Sequence, residues 1–129
     1  MLFEIIAKGV GLIPPLIPKD WDESTVVHLE EETFTVTFKG GQVLLARGDR
    51  SDADAIVKLT TKWLCDAIDG SADFMGVWRE LSEPWDTTIV QKGRGAKLST
   101  LIDLLSRTYK SNLEFKKLLD DFKVNLKVR

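Results

Sequence analysis

The residues best placed to do chemistry are Gly93, Arg94, Gly95 and Lys97, in the stretch "IVQKGRGAKLSTLIDLL" from Ile89 to Leu105. Strand-forming residues run into a glycine turn, then a lysine, then a helical period. Such an order suits anion binding, because glycines let backbone N–H groups close on phosphate where a helix begins. The spacing argues otherwise. A phosphate loop needs G-x-x-x-x-G-K-[ST], whereas this chain has Gly-Arg-Gly-Ala-Lys-Leu-Ser-Thr. A dinucleotide fingerprint needs G-x-G-x-x-G, and Leu98 stands where its third glycine belongs. The turn therefore reads as a chain reversal. Arg94 and Lys97 stay as candidates to meet a carboxylate or phosphate head group.

Other reactive side chains are few. The single cysteine, Cys65, excludes an internal disulfide and a multi-cysteine metal site. It reads as a small buried apolar residue. The one histidine, His28, lies in the strand-like run "STVVHLEEE". No Ser-His-Asp arrangement, HExxH or paired zinc-ligand spacing occurs, and the many carboxylates form no convergent motif. The expectation is a protein that is not an enzyme and works without metal or redox cofactor. Arg47-Gly48-Asp49 is the integrin-binding tripeptide, but the chain shows no secretion signal to accompany it.

These residues must be positioned by a chain of 129 residues, the size of one domain. With 43% hydrophobic and 29% charged residues it can bury a core. A net charge of −2 leaves no basic excess for a phosphate backbone, so nucleic acid is not an expected partner.

The start, "MLFEIIAKGVGLIPPLIP", is strongly apolar, yet Glu4, Lys8, Pro14, Pro15 and Pro18 interrupt it well short of the ~20 apolar residues of a membrane span. It lacks the basic start and cleavage site of a signal peptide, so the expected location is cytoplasmic. Residues 1–20 read as a short helix followed by a proline-rich link. So much apolar surface calls for cover. The segment is expected to fold back over the domain or to make a homodimer contact, with stable membrane insertion disfavoured.

From Trp21 the period changes to two. "TFTVTFK" puts Phe34, Val36 and Phe38 on one face and Thr33, Thr35 and Thr37 on the other. Ser24–Glu30, Gln42–Arg47 and Ala53–Leu59 are the flanking strands. Their hairpin-length connections predict an antiparallel meander. The period then becomes helical. Thr60 or Thr61 caps a helix ending at Gly70, and Ser71 caps another carrying Phe74, Val77, Trp78 and Leu81. Asp86–Lys92 reads as a fifth strand. Leu98, Leu101, Ile102 and Leu105 mark the next helix. A last one, carrying Phe115, Leu118, Leu119 and Phe122, occupies the C-terminal part, 111–129. The sum is a two-layer α+β domain, a five-stranded, mainly antiparallel sheet covered by helices.

Asp52 to Leu105 resembles the heart of a sterol carrier protein 2 domain. The marks are an Ala-Asp-Ala strand ending in an apolar-Thr pair and a helix closing on Asp69-Gly70. A second helix, a strand, the glycine turn and a Lys-Leu…Leu…Leu-Leu helix follow. Upstream, the "VVHLEEETFTVTFKGGQVLLARGDRSD" run is similar to the family's opening hairpin and third strand, so the resemblance extends from about Ser24 to Arg107. It implies an apolar tunnel between sheet and helices that takes fatty acids, acyl-CoA or sterols, in a domain that is not itself catalytic. Phe34, Val36, Phe38, Trp63, Phe74, Met75, Val77, Trp78 and Leu101 would line that space, with Arg94 and Lys97 at the head group. Arg94 departs from the acidic residue many relatives carry there. The chain past Lys110 exceeds the minimal pattern, so the last helix is expected to be a lid or a partner surface. The expected function is binding, and transfer, of an apolar ligand. The alternative is a non-catalytic accessory or assembly module with a filled core and a hydrophobic docking helix.

Overall fold

The structure, a computed structural model, describes residues 2–50, 52–71, 90–92 and 96–128. β1 (Asp22–His28) and β2 (Thr33–Lys39) pair antiparallel, with Thr25 opposite Val36 and Val27 opposite Phe34. β2 turns tightly into β3 (Gln42–Arg47), which pairs with it antiparallel. Gly40 and Gly41 make that turn with φ of 62° and 82°, a pair of left-handed conformations that only glycine adopts freely.

β4 (Ala55–Lys58) departs from the expected meander. It lies parallel to β1, on the side away from β2, with Thr25 beside Ala55 and Val27 beside Val57. The connection after Arg47 is therefore a crossover and not a hairpin. It runs back over the sheet's outer face, where the Thr35 hydroxyl donates to the Gly48 carbonyl and Val26 and Thr35 are buried. Asp54 completes the return: its N–H donates to the Ser24 carbonyl, and its carboxylate accepts from the Ser24 N–H at 2.9 Å. β5 (Val90–Lys92) pairs antiparallel with β4, giving the order β3-β2-β1-β4-β5. The sheet is mixed, mainly antiparallel with one parallel pair.

The described helices are α1 (Leu2–Val10), α2 (Thr61–Asp69), α3 (Ala96–Ser111) and α4 (Leu113–Val128). The Thr60 hydroxyl accepts from the Trp63 N–H at the start of α2, and Gly70 ends it at φ 83°. Asn112 caps α4 by accepting from the Phe115 N–H at 3.0 Å. The acidic turn between β1 and β2 caps two helices at once. Glu32 accepts from the Leu2 and Phe3 N–H groups at 3.0 and 3.3 Å, and Glu30 accepts from the Thr61 N–H at 2.6 Å. The expected Ser71-capped helix, and the expected fifth strand before Val90, lie on residues 72–89, outside the described residues.

The helices cover one face of the sheet. Alternation sends Phe34, Val36 and Phe38 inward, into a core shared with Ile6, Trp63, Leu64, Leu98, Leu101 and Leu105. α4 belongs to this layer. Its Phe115 and Leu119 are fully buried, Glu114 pairs with Lys8 of α1 at 2.7 Å, and Lys123 reaches α2. α1 turns Leu2 and Ile6 into the same core, as a segment folded back over the domain does.

Candidate functional site

Strand period two decides which side chains face the helices. Because directly opposed residues share a face, Glu23, Thr25 and Val27 of β1 stand with Phe38, Val36 and Phe34 of β2. The helical side contributes Leu64, Leu98, Leu101, Ile102 and Leu105, and α1 contributes Ile6. Phe34, Val36, Phe38, Trp63 and Leu101, five of the residues expected to line a ligand space, are brought together in this one interior and are all buried. Phe74, Met75, Val77, Trp78 and Arg94 lie outside the described residues.

Where the layers meet, a cavity of about 10 Å³ is bordered by Ile6, Val27, Phe34, Val36, Leu59, Leu64, Leu98, Leu101, Ile102 and Leu105. That is room for no more than about one water molecule. Sequence reasoning missed Ile6 and Thr25 here. Ile6 carried a signal only as part of a greasy segment needing cover. Thr25 and Glu23 follow from extending the alternation of β1 back from Val27.

Lys97, in the first turn of α3, does not stand free. Its ammonium lies 5.3 Å from the ring centroid of Trp21, which meets Phe38 edge-on at 5.5 Å and 89°. The lysine thus caps an aromatic pair at one end of the interior.

A second polar group joins α2 to α4. Lys123 Nζ meets Asp66 Oδ1 at 2.7 Å and also bonds Asp69. Burial would lower the Lys123 pKa, but its hydrogen bonds to Asp66 and Asp69 outweigh burial and hold it above the ordinary lysine value. Burial likewise would raise Asp66, yet bonds from Lys123 and Lys62 keep it below the usual carboxylate range. A surface cleft of about 480 Å³ opens beside them, lined by Glu30, Thr61, Lys62, Cys65, Asp66, Ser71, Lys123 and Leu126. Its charged groups are largely spent on one another.

The reactive residues stay apart. Burial pushes the Cys65 thiol up to about 12, so it holds no thiolate for nucleophilic work near neutrality. His28 is on the outer face, with Nδ1 3.0 Å from the Thr33 hydroxyl. Arg47 of the Arg-Gly-Asp triplet pairs with Glu4 and lies 4.4 Å over the Phe3 ring, which fastens α1 to β3. Among the described residues no group of His, Cys, Asp or Glu is arranged to hold a metal ion, and no helix is long and apolar enough to cross a membrane.

No protein-family model and no curated protein matches the sequence. Solved structures do match. The inverting sec-alkylsulfatase Pisa1 from Pseudomonas sp. aligns over 77% of this chain at 22% identity and TM-score 0.51, but the match spans only 14% of that enzyme. The ubiquinone synthesis protein UbiJ-SCP2 aligns over 81% of this chain and 85% of its own, at 15% identity and TM-score 0.57. Palmitated SCP2L2 from Aedes aegypti covers 79% and 92%, at 15% identity and TM-score 0.54. At 15–22% identity such likeness speaks to architecture. With a five-stranded sheet covered on one face by helices, the chain has the fold of sterol carrier protein 2 domains.

Proposed function

We propose that this domain binds an apolar, lipid-like ligand between its sheet and its helices, and that it does so as a carrier rather than a catalyst. The observation that carries the reading is the interior itself. Side chains from both layers and from α1 meet there around a wholly apolar cavity, in a fold shared with a protein solved in palmitated form. The unreactive Cys65 and the outward-facing His28 support binding over catalysis.

The energetics set the expected affinity. Burying ~12 methylenes at about 0.8 kcal/mol each supplies roughly 10 kcal/mol gross. Association consumes several kcal/mol, partly offset at the head group, leaving about −8, or roughly micromolar. Prying apart a nearly filled interior weakens this further, to a Kd of about 1–100 µM. Titration with palmitate and a long-chain acyl-CoA, followed by tryptophan emission and calorimetry, should saturate in that range. No saturable change with either ligand sinks the reading.

The small size of the cavity favours a second reading, an accessory or assembly module whose core is simply full. Under this reading α1 braces the domain, and apolar ligands leave native mass spectra unchanged.

A further inference from the structure

β3 ends the sheet in the order β3-β2-β1-β4-β5, so one side of its backbone has no neighbouring strand. The ladder shows which groups are left over. The Gly48 N–H donates to the Thr33 carbonyl, so every second residue back from Gly48 turns its backbone toward β2. Val43, Leu45 and Arg47 therefore turn theirs outward, and among the described residues no backbone group outside the sheet bonds them. Open edges are usually blunted by proline, lysine, a bulge or an inward charge. β3 has none of the first three. It pairs with β2 in unbroken register, and its one charge, Arg47, sits at the last position and is held by Glu4. Between the ends both faces are apolar: Leu44 and Ala46 are exposed on the outer face, and Val43 and Leu45 are half-buried on the inner one. Beside the start of the strand lies a recess of about 320 Å³, bordered by Val10, Ile13, Pro14, Val43 and Leu44, and Leu12 and Leu16 are exposed on the same link.

We propose that β3 is the contact surface for a second copy of this chain, joined strand to strand, antiparallel, about a two-fold axis at Leu44. The register follows from the residues of the strand. With Leu44 opposite Leu44, Val43 and Leu45 of one copy face Leu45 and Val43 of the other, and their outward N–H and C=O groups bond in pairs. Gln42 then faces Ala46. The two Arg47 residues fall at opposite ends, about 20 Å apart, so no like charges meet. An axis at Leu45 would instead set Val43 against Arg47. A charged partner would find no group to pair with along Val43–Ala46. An identical strand sets apolar against apolar on both faces and closes the edge, since a two-fold contact uses the same surface on both copies. One strand pair with these flanks buries less than the ~1,200 Å² of stable complexes, so the dimer is weak, with a Kd of roughly 10–100 µM.

Sedimentation velocity between about 5 and 500 µM should show the wild type passing from monomer to dimer. Leu44→Lys sets two ammonium groups opposite each other and should raise the Kd roughly tenfold or more, with the melting temperature kept. Cysteine reads the register. Directly opposed residues of this kind have Cα atoms about 4.5 Å apart, within disulfide reach, so Leu44→Cys should oxidise to a covalent dimer. In Ala46→Cys the introduced thiols stand about 14 Å apart and should stay mostly reduced. Cys65, buried with its thiol raised to about 12, adds no cross-link of its own. A wild type that stays monomeric throughout, or a dimer that Leu44→Lys leaves intact, overturns the proposal. So does equal cross-linking of the two cysteine variants. A monomeric wild type that sediments with phosphatidylcholine vesicles also overturns it, and assigns the exposed leucines to a membrane surface.

Discussion

Lys123 sits between two carboxylates of the neighbouring helix, its side chain 18% exposed and those of Asp66 and Asp69 18% and 7%. In Lys123→Met the chain length is kept, but both carboxylates lose their shared partner. Removing one member of such a pair should cost toward the lower end of about 3–5 kcal/mol at pH 7, because the group is not wholly buried. The pH dependence follows from Asp66. Its folded pKa is depressed below 3.8, so its contribution is fully present above that value and is lost as pH falls through the folded one. The raised pKa of Lys123 acts at the other extreme, its contribution full below 10.5 and lost as pH climbs through the higher folded value. Urea denaturation of both proteins should thus show a stability gap that is constant between about pH 5 and 9 and narrows by pH 3. An equal gap at pH 3 and 7 would show that the triad contributes packing alone.

α1 meets α3 and α4 at Gly9. A methyl placed there would stand 2.6 Å from a ring carbon of Phe115 and 2.8 Å from Leu105 Cδ2, both in fully buried side chains. Overpacking of this kind costs about 1–3 kcal/mol, against the ~0.5–1 kcal/mol that alanine gains over glycine in a helix. Gly9→Ala should therefore lose about 1–2 kcal/mol, while Gly11→Ala, whose added carbon meets only a backbone oxygen at 3.5 Å, should be neutral or slightly stabilising. Thermal melts of the two variants check the contrast, and equal melting temperatures would mean that α1 is not closely seated. The sequence shows both glycines alike, because a helix contact is set by a residue more than a hundred positions away. The same division runs through the fold. The alternation of β2, the Thr60 and Gly70 caps of α2 and the Gly40-Gly41 turn are local chemistry and were legible. The parallel place of β4 was not: Gly48 to Asp54 has the length and composition of a hairpin, and the bonds of Thr35 to Gly48 and of Asp54 to Ser24 redirect it. In the candidate site, the inward faces of β2 and α3 could be read from their periods, but the contribution of Ile6 depends on where α1 docks.

Across the whole molecule, α1 plugs the space between the layers. Ile6→Ala should cost about 2–5 kcal/mol, because it deletes buried methyl groups beside an existing cavity. If the interior is a ligand site, the same change makes room, and palmitate should bind about tenfold more tightly at 15 °C, where the variant stays folded. Weaker or unchanged binding by a folded variant would favour the filled-core reading. The seat of α1 also sets an order of events in time. Its early neighbours are Phe34 and Arg47, which Phe3 contacts at the sheet. The ring that Gly9 packs against belongs to Phe115. At roughly 5–20 residues per second, a ribosome needs about 3–16 s to travel from one to the other. For that interval the nascent helix has only half its cradle, and Leu2 and Ile6 remain open to whatever apolar surface or chaperone reaches them first.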